Sequence, residues 1–394
     1  MKITTLVSLA VAILIVGEAT PEGKVIPLTA NPNHKRDFHA AMAKINRRYP
    51  KLNLVKRGDT NGTGRVSLID FSPDSQYYGA AQVGTPGQTI LFDFDTGSSD
   101  IWFPSILCKS IECRRHNRFS PKKSSTFKND GRKWNMMYGD GSMATGILAS
   151  DIVNVGGIKV RQTVGLSTGE GGQFVKAPED GIFGLGFGSL ESVKGVKTFM
   201  DNAIASKTLA MPVFSVFLPS IRRNGGKGGN FLFGGIDHSQ YTGNLTYVPV
   251  TKKGYWQINI SDVKVQGKSI NMSSEGIVDT GSSLVIVSRD AAAAFHKNIK
   301  GAIDSLVHGG WTVPCSLAKS QESMSFALGD KDFFVPLADI AWSPVKKGSS
   351  ICFSGIQASG GDDLWILGDV FIKNNYCVFD YSDKPSIGMA PLKY

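Results

Sequence analysis

The sequence predicts a mostly β protein of two homologous lobes, with its functional site in the cleft between them. Three observations carry that expectation. The stretch Leu91-Phe92-Asp93-Phe94-Asp95-Thr96-Gly97-Ser98-Ser99-Asp100-Ile101-Trp102 passes from one apolar run to the next through Asp-Thr-Gly-Ser, and Asp-Thr-Gly-Ser-Ser recurs at Asp279–Ser283 between apolar flanks. Downstream of each copy comes an apolar pair and a glycine, Ile182-Phe183-Gly184 and Ile366-Leu367-Gly368, 89 positions after its Asp in both cases. The rest is made of short apolar runs broken by Gly, Pro and Asn, without the alternating long helices that a parallel sheet requires.

Taken in order, the chain opens with a leader in two parts. Lys2 precedes an apolar run from Leu6 to Val16, bracketed by Gly17 and Ala19. That run is too short to span a bilayer, so residues 1–19 read as a secretory signal peptide and the expected location is extracellular. Residues 20–57 read as a basic propeptide: Phe38, Met42 and Ile45 recur at helical spacing among Lys and Arg, and Lys56-Arg57 precedes the polar run Gly58–Gly62. A dibasic pair before a flexible stretch suits proteolytic removal; the plainer alternative is a solvated charged helix with a linker.

The remaining chain divides into an N-terminal β lobe, 58–250, and a C-terminal β lobe, 251–394. Tyr77–Gly84 and Thr89–Phe94 are predicted strands joined by a Gly-Thr-Pro-Gly turn. The main helical candidate runs from Ser288, a credible N-cap, to Ile303. The formal charge of +10 on 394 residues is concentrated in the leader, where residues 1–57 hold 10 Lys and Arg against 3 Asp and Glu. The body is nearly neutral, which points away from nucleic acid and membrane partners, and a monomer is expected.

Five cysteines in a secreted chain imply bridges and one thiol left over. Cys108 and Cys113 are close enough to close a small loop, Cys315 and Cys352 lie in the second lobe, and Cys377 sits in the apolar strand Tyr376–Phe379. A zinc site at Cys108, Cys113 and His116 lacks a second ligand pair, and no metal or other cofactor is expected. Asn61, Asn244, Asn259 and Asn271 occupy Asn-x-Ser/Thr sequons and are glycosylation candidates.

Each lobe thus brings one aspartate to a shared seam. Two carboxylates forced together cannot both ionise cheaply, so the pair shares a proton. The ionised member can deprotonate a water while the protonated member polarises a carbonyl, which is hydrolysis without a covalent intermediate. On the paired Asp-Thr-Gly motifs the chain resembles the pepsin family of aspartic endopeptidases, in particular the rhizopuspepsin-like enzymes of mucoralean fungi, from about Tyr77 to the C-terminus. The resemblance implies a bilobal pepsin-like fold, polypeptide substrates cut at acid pH around bulky apolar residues, and a zymogen inhibited by its own propeptide. It makes Asp95 and Asp279 the catalytic pair, supported by Thr96, Gly97, Ser98, Thr280, Gly281 and Ser282. Ser98 and Ser282 would bond the outer carboxylate oxygens, and Thr96 and Thr280 would lock the loops together. Tyr138-Gly139-Asp140 resembles the flap that closes over substrate, with Trp102 supporting Tyr138. Asp93 and Asp140 are the specificity candidates, Asp140 by admitting Lys before the scissile bond.

Rival chemistries are weaker. Gly165-Leu166-Ser167-Thr168-Gly169 fits a nucleophile elbow in letters, but that elbow needs a parallel strand, a following helix and a matching His. A catalytically inactive binding protein on the same fold is the other alternative; such relatives lose an Asp or its Gly, and both sets are intact here.

Overall fold

The computed structural model describes residues 24–27, 74, 77–137, 143–171, 179–225, 229–359 and 364–393. The signal peptide, nearly all of the propeptide including Lys56-Arg57, the sequon at Asn61, the flap residues Tyr138, Gly139 and Asp140, and the Gly-rich run around Lys227 lie outside them.

The chain is mostly β, and the described residues form five sheets. A seven-stranded sheet runs in the order 79–83, 88–95, 181–184, 101–104, 158–171, 143–155 and 128–137. Its outer strand Gly79–Val83 alternates buried and exposed positions, as a half-solvated strand does. Its inner strand Gly181–Gly184 is buried throughout, as a strand covered on both faces must be. The Gly-x-Ser-x-Gly stretch lies within strand Ile158–Gly171, so Ser167 is on no nucleophile elbow.

The second lobe repeats the central arrangement. In the first, Gln88–Asp95 pairs in parallel with Gly181–Gly184, which pairs antiparallel with Ile101–Pro104. In the second, Ser274–Val278 pairs in parallel with Trp365–Leu367, which pairs antiparallel with Val285–Val287. The registers correspond residue by residue: Phe183 faces Phe94 and Ile101, and Leu367 faces Val278 and Val285. Glycine is required at the end of both middle strands. A Cβ on Gly184 would lie 2.4 Å from the Ser99 carbonyl carbon, and one on Gly368 would lie 2.1 Å from the Ser282 carbonyl oxygen. The repeated Gly therefore marks a close backbone approach beside each Asp loop.

A six-stranded sheet joins the halves, in the order 24–27, 230–233, 213–217, 375–380, 386–391 and 246–249. Strand Lys24–Pro27, from the predicted propeptide, forms its edge by antiparallel pairing with Asn230–Phe233. Between the sheets lies one continuous apolar core rich in Phe. Phe94 packs on Phe183 at 4.8 Å and Phe231 at 5.5 Å, and Phe214 stacks on Phe379 at 4.7 Å. Each such pair adds about 0.5–1.5 kcal/mol beyond the area it buries.

The helix expected over Ser288–Ile303 is shorter. Ser288 caps it, its side chain accepting from Ala291 N–H at 3.3 Å, but the α-helix covers only Arg289–His296. Turns follow, Gly301 adopts φ +82°, and Ile303–Ser305 is a strand. The disulfides are Cys108–Cys113 and Cys315–Cys352, and Cys377 is a buried free thiol.

Candidate active site

Asp95 ends the strand Gln88–Asp95, and Asp279 directly follows Ser274–Val278. Both are fully buried. Their surroundings match atom for atom. Oδ1 of Asp95 accepts the Gly97 N–H at 2.7 Å, and Oδ1 of Asp279 accepts the Gly281 N–H at 2.9 Å. Oδ2 of Asp95 accepts from the Ser98 hydroxyl, and Oδ2 of Asp279 from the Ser282 hydroxyl at 2.5 Å. A tight Asp-Thr-Gly-Ser turn produces this locally, because a short acidic side chain bonds backbone two residues on. Both oxygens of each carboxylate are thus oriented by donors.

The two loops are bolted together by threonines. Thr96 donates its hydroxyl to the Val278 carbonyl at 2.8 Å, and Thr280 donates to the Phe94 carbonyl at 2.8 Å. Each threonine hydroxyl also accepts the backbone N–H of the other. These four bonds join residues flanking one aspartate to residues flanking the other, so the carboxylates share one seam.

The strands behind hold the loops. Asp95 O accepts the Leu185 N–H, and Ser98 O accepts the Gly186 N–H at 2.5 Å. In the second half Ser282 O accepts the Asp369 N–H at 2.7 Å. Leu185 O is tied across the molecule by Trp256 Nε1–H at 2.9 Å and by the Tyr381 hydroxyl.

Trp102 is buried and packs on Trp134, ring centres 5.6 Å apart, within a cluster that includes Met136, Ala144 and Ile182. Met136 lies two positions before Tyr138, so Trp102 packs with the strand that leads to the predicted flap. Asp93 is buried two positions ahead of Asp95, on the same face of its strand. Of the glycosylation candidates, Asn244, Asn259 and Asn271 are exposed.

One cluster escaped the sequence reading. Asp100 is buried, its carboxylate accepting the Ser192 hydroxyl at 2.5 Å and the Ser192 N–H at 3.0 Å. Glu191 lies beside the same carboxylate, and burial together with the Asp100 charge pushes its carboxyl up to about 10. Burial also raises Asp100, against the bonds from Ser192. Glu191 therefore holds its proton at acid and neutral pH. The signal was faint: Asp100 reads as one more turn residue, and Glu191 lies 91 positions away in a loop.

Among the described residues no group of three or more His, Cys, Asp or Glu side chains is arranged to hold a metal ion. Two carboxylates at one seam can supply a base for water and an acid for a carbonyl oxygen when they share one proton.

Comparison with known proteins agrees with this geometry. A family model described as eukaryotic aspartyl protease matches residues 76–392. The chain is 40% identical to rhizopuspepsin-1 of Rhizopus niveus, over 99% of this chain and 98% of that protein. It is 37% identical to syncephapepsin of Syncephalastrum racemosum over the whole of both chains, and 38% identical to cathepsin E of Mus musculus over 82% of each. A duplicated β lobe, two matched Asp-Thr-Gly-Ser loops at one seam and this likeness along its length lead to one conclusion: the chain belongs to the eukaryotic aspartyl proteases, the pepsin-like aspartic endopeptidases.

Proposed function

We propose that the protein is a secreted endopeptidase that cuts polypeptides at acid pH, with Asp95 and Asp279 as its catalytic pair. The observation that carries this is the matched set of donors around the two carboxylates, Gly97 and Ser98 on one side, Gly281 and Ser282 on the other. A water held between two such carboxylates loses a proton to the ionised one as it attacks the scissile carbonyl, whose oxygen takes a proton from the other. The gem-diol that forms collapses when the amine leaves with a proton returned by the dyad. No atom of the enzyme is covalently altered.

Thr96 and Thr280 act here as positioning residues, keeping the carboxylates at one separation. Tyr138 and Asp140 belong to the flap in this reading, with Trp102 packed against its supporting strand. The substrate cleft prefers bulky apolar side chains around the scissile bond. Asp93 and Asp140 are the specificity residues in this reading, and an ionised Asp140 admits Lys before the scissile bond through a charge-assisted bond of roughly 1.5–3 kcal/mol.

Residues 20–57 are read as the inhibitory propeptide of a zymogen. Two features support this: the leader's excess of positive charge, and the strand Lys24–Pro27 on the edge of the central sheet. Carboxylates that pair with its Lys and Arg titrate below their usual value of about 4, and as pH falls through those lowered values they lose their charge while the cations keep theirs, so acid releases the segment.

The test is acid incubation of the purified full chain, followed by mass spectrometry of its new N-terminus and of a digested test protein. The expected result is a product beginning soon after Arg57 and cleavage that a statine inhibitor blocks and a chelator does not. Full activity at neutral pH with residues 20–57 still attached would contradict the zymogen reading. Chelator-sensitive activity would contradict the dyad.

A further inference from the structure

The near neutrality of the chain beyond residue 57 conceals a local asymmetry. From Ser105 to Lys123 there are six Lys and Arg residues against one acidic residue, Glu112. All six, Lys109, Arg114, Arg115, Arg118, Lys122 and Lys123, are exposed. Among them stand three aliphatic side chains open to solvent: Ile106 is 43% exposed, Leu107 50% and Ile111 63%. Single exposed apolar residues are ordinary on a protein surface, but three within six positions of one loop form a local concentration.

This loop is also ordered by its own bonds. Cys108–Cys113 closes its tip. At its base Ile106 N–H donates to Phe119 O at 2.9 Å, and Phe119 N–H donates to Pro104 O at 2.9 Å. Cys108 N–H donates to Ser105 O at 2.9 Å, and Arg118 reaches back to Cys108 O at 3.3 Å. A backbone pinned in this way loses little further freedom when its side chains meet a partner.

We propose that the stapled loop docks the enzyme on an anionic lipid surface, with Ile106, Leu107 and Ile111 entering the interface and the basic residues meeting headgroup phosphates. The combination of aliphatic groups with surrounding cations is the pattern of an interfacial binder. A soluble polyanion would use the cations alone and leave three aliphatic groups unexplained. A carbohydrate would call for exposed aromatic faces, and the aromatic ring of this segment, Phe119, is buried. Lys and Arg remain charged in acid, as do lipid phosphodiesters, so the attraction persists under conditions where the dyad works. The expectation of no membrane partner rested on the total charge of the body, which averages this loop away.

The experiment places a reporter on the loop. Leu107→Trp in the full chain is mixed with vesicles of phosphatidylcholine alone, or of phosphatidylcholine with phosphatidylglycerol, each carrying brominated acyl chains that quench nearby indoles. Because the probe reports from the loop, attachment through the basic leader gives no signal. The proposal predicts quenching several-fold above the wild-type background on the mixed vesicles and none on the neutral ones, abolished by adding Arg114→Glu and Arg115→Glu. Ile111→Trp carries the same readout should Leu107→Trp not fold. Leu306→Trp is the control, since Leu306 is 98% exposed in a turn without Lys or Arg from Asp304 to Gly310. No quenching at either loop position overturns the proposal, as does equal quenching at position 306. Loop fluorescence that responds to soluble polyglutamate and not to vesicles would assign the surface to acidic polypeptides and overturn the lipid reading.

Discussion

Thr96 and Thr280 bond each other's backbone across the seam of the molecule. The Thr96 N–H donates to Thr280 Oγ1 at 3.2 Å, and the Thr280 N–H donates to Thr96 Oγ1 at 3.0 Å. Each hydroxyl then donates to the carbonyl of the residue before the other aspartate. Neither loop can therefore move without breaking bonds made by the other.

Replacing either threonine by valine keeps the shape and removes these bonds. Each substitution leaves a buried N–H and a buried C=O without that partner, at a cost of roughly 1–3 kcal/mol. The double variant should lose less than the sum, because both hydroxyls serve one network. Denaturant unfolding and peptide kinetics check this, with kcat expected to fall more than KM rises. Unchanged stability and kcat in both single variants would show that the threonines do not hold the site.

Glu191 sets a pH dependence of stability. Its carboxyl is raised by burial and by Asp100 to about 10, against an unfolded value of 4.5. Between those values the folded state holds a proton that the unfolded chain has released, so stability is full below about pH 4.5 and declines as pH rises towards 10. Glu191→Gln keeps the size of the side chain and cannot ionise. Its melting temperature should therefore fall less between pH 5 and 8 than that of the wild type. Parallel curves for the two proteins would remove Glu191 from the account.

Lys373 is fully buried between Asp74, 3.1 Å away, and Asp339, 3.4 Å away. Arg222 adds a contact to Asp339 at 2.9 Å. Burial opposes the Asp339 charge, yet Lys373 and Arg222 hold its carboxyl below the usual range. Lys373→Met should destabilise the protein by about 3–5 kcal/mol, because two buried carboxylates lose a cation. The lowered carboxyl adds stability above its unfolded value that disappears as pH falls through its folded value, and the variant should show a weaker loss on that acid side. Urea unfolding at pH 3 and pH 6 measures both effects.

Cys377 lies in the strand Asn375–Asp380, where burial raises its thiol well above the ordinary range. It should resist alkylation in the native protein and react only on unfolding. Peptide mapping under non-reducing conditions should then recover Cys108–Cys113 and Cys315–Cys352 as bridges. Rapid native labelling of Cys377 would contradict its burial.

The pseudo-symmetry was legible in the chain because its constraints are local. An Asp-Thr-Gly-Ser turn fixes its own carboxylate, and a glycine is needed wherever the next strand passes close by, so both survive as letters at equal spacing. The helix after Ser288 was overextended, because an N-cap and an Ala run announce where a helix begins and say nothing of the turn at Gly301 that ends its path. Asp100 with Glu191, and Lys373 with Asp74, were illegible for a different reason. Each pair is assembled only by tertiary packing, Lys373 and Asp74 lying 299 positions apart, and no local pattern marks a charge whose partner is so distant.

The central claim is that both aspartates are needed, each for a different proton. Asp95→Asn and Asp279→Asn keep the size and most hydrogen bonds of the native side chains, so each variant should fold, melt near the wild type and retain both disulfides. The account predicts that kcat/KM on a chromogenic peptide at acid pH falls by roughly 10³-fold or more in each variant separately, since neither remaining carboxylate can be both base and acid. A folded Asp95→Asn or Asp279→Asn enzyme that turns over peptide at a rate near the wild type would contradict it.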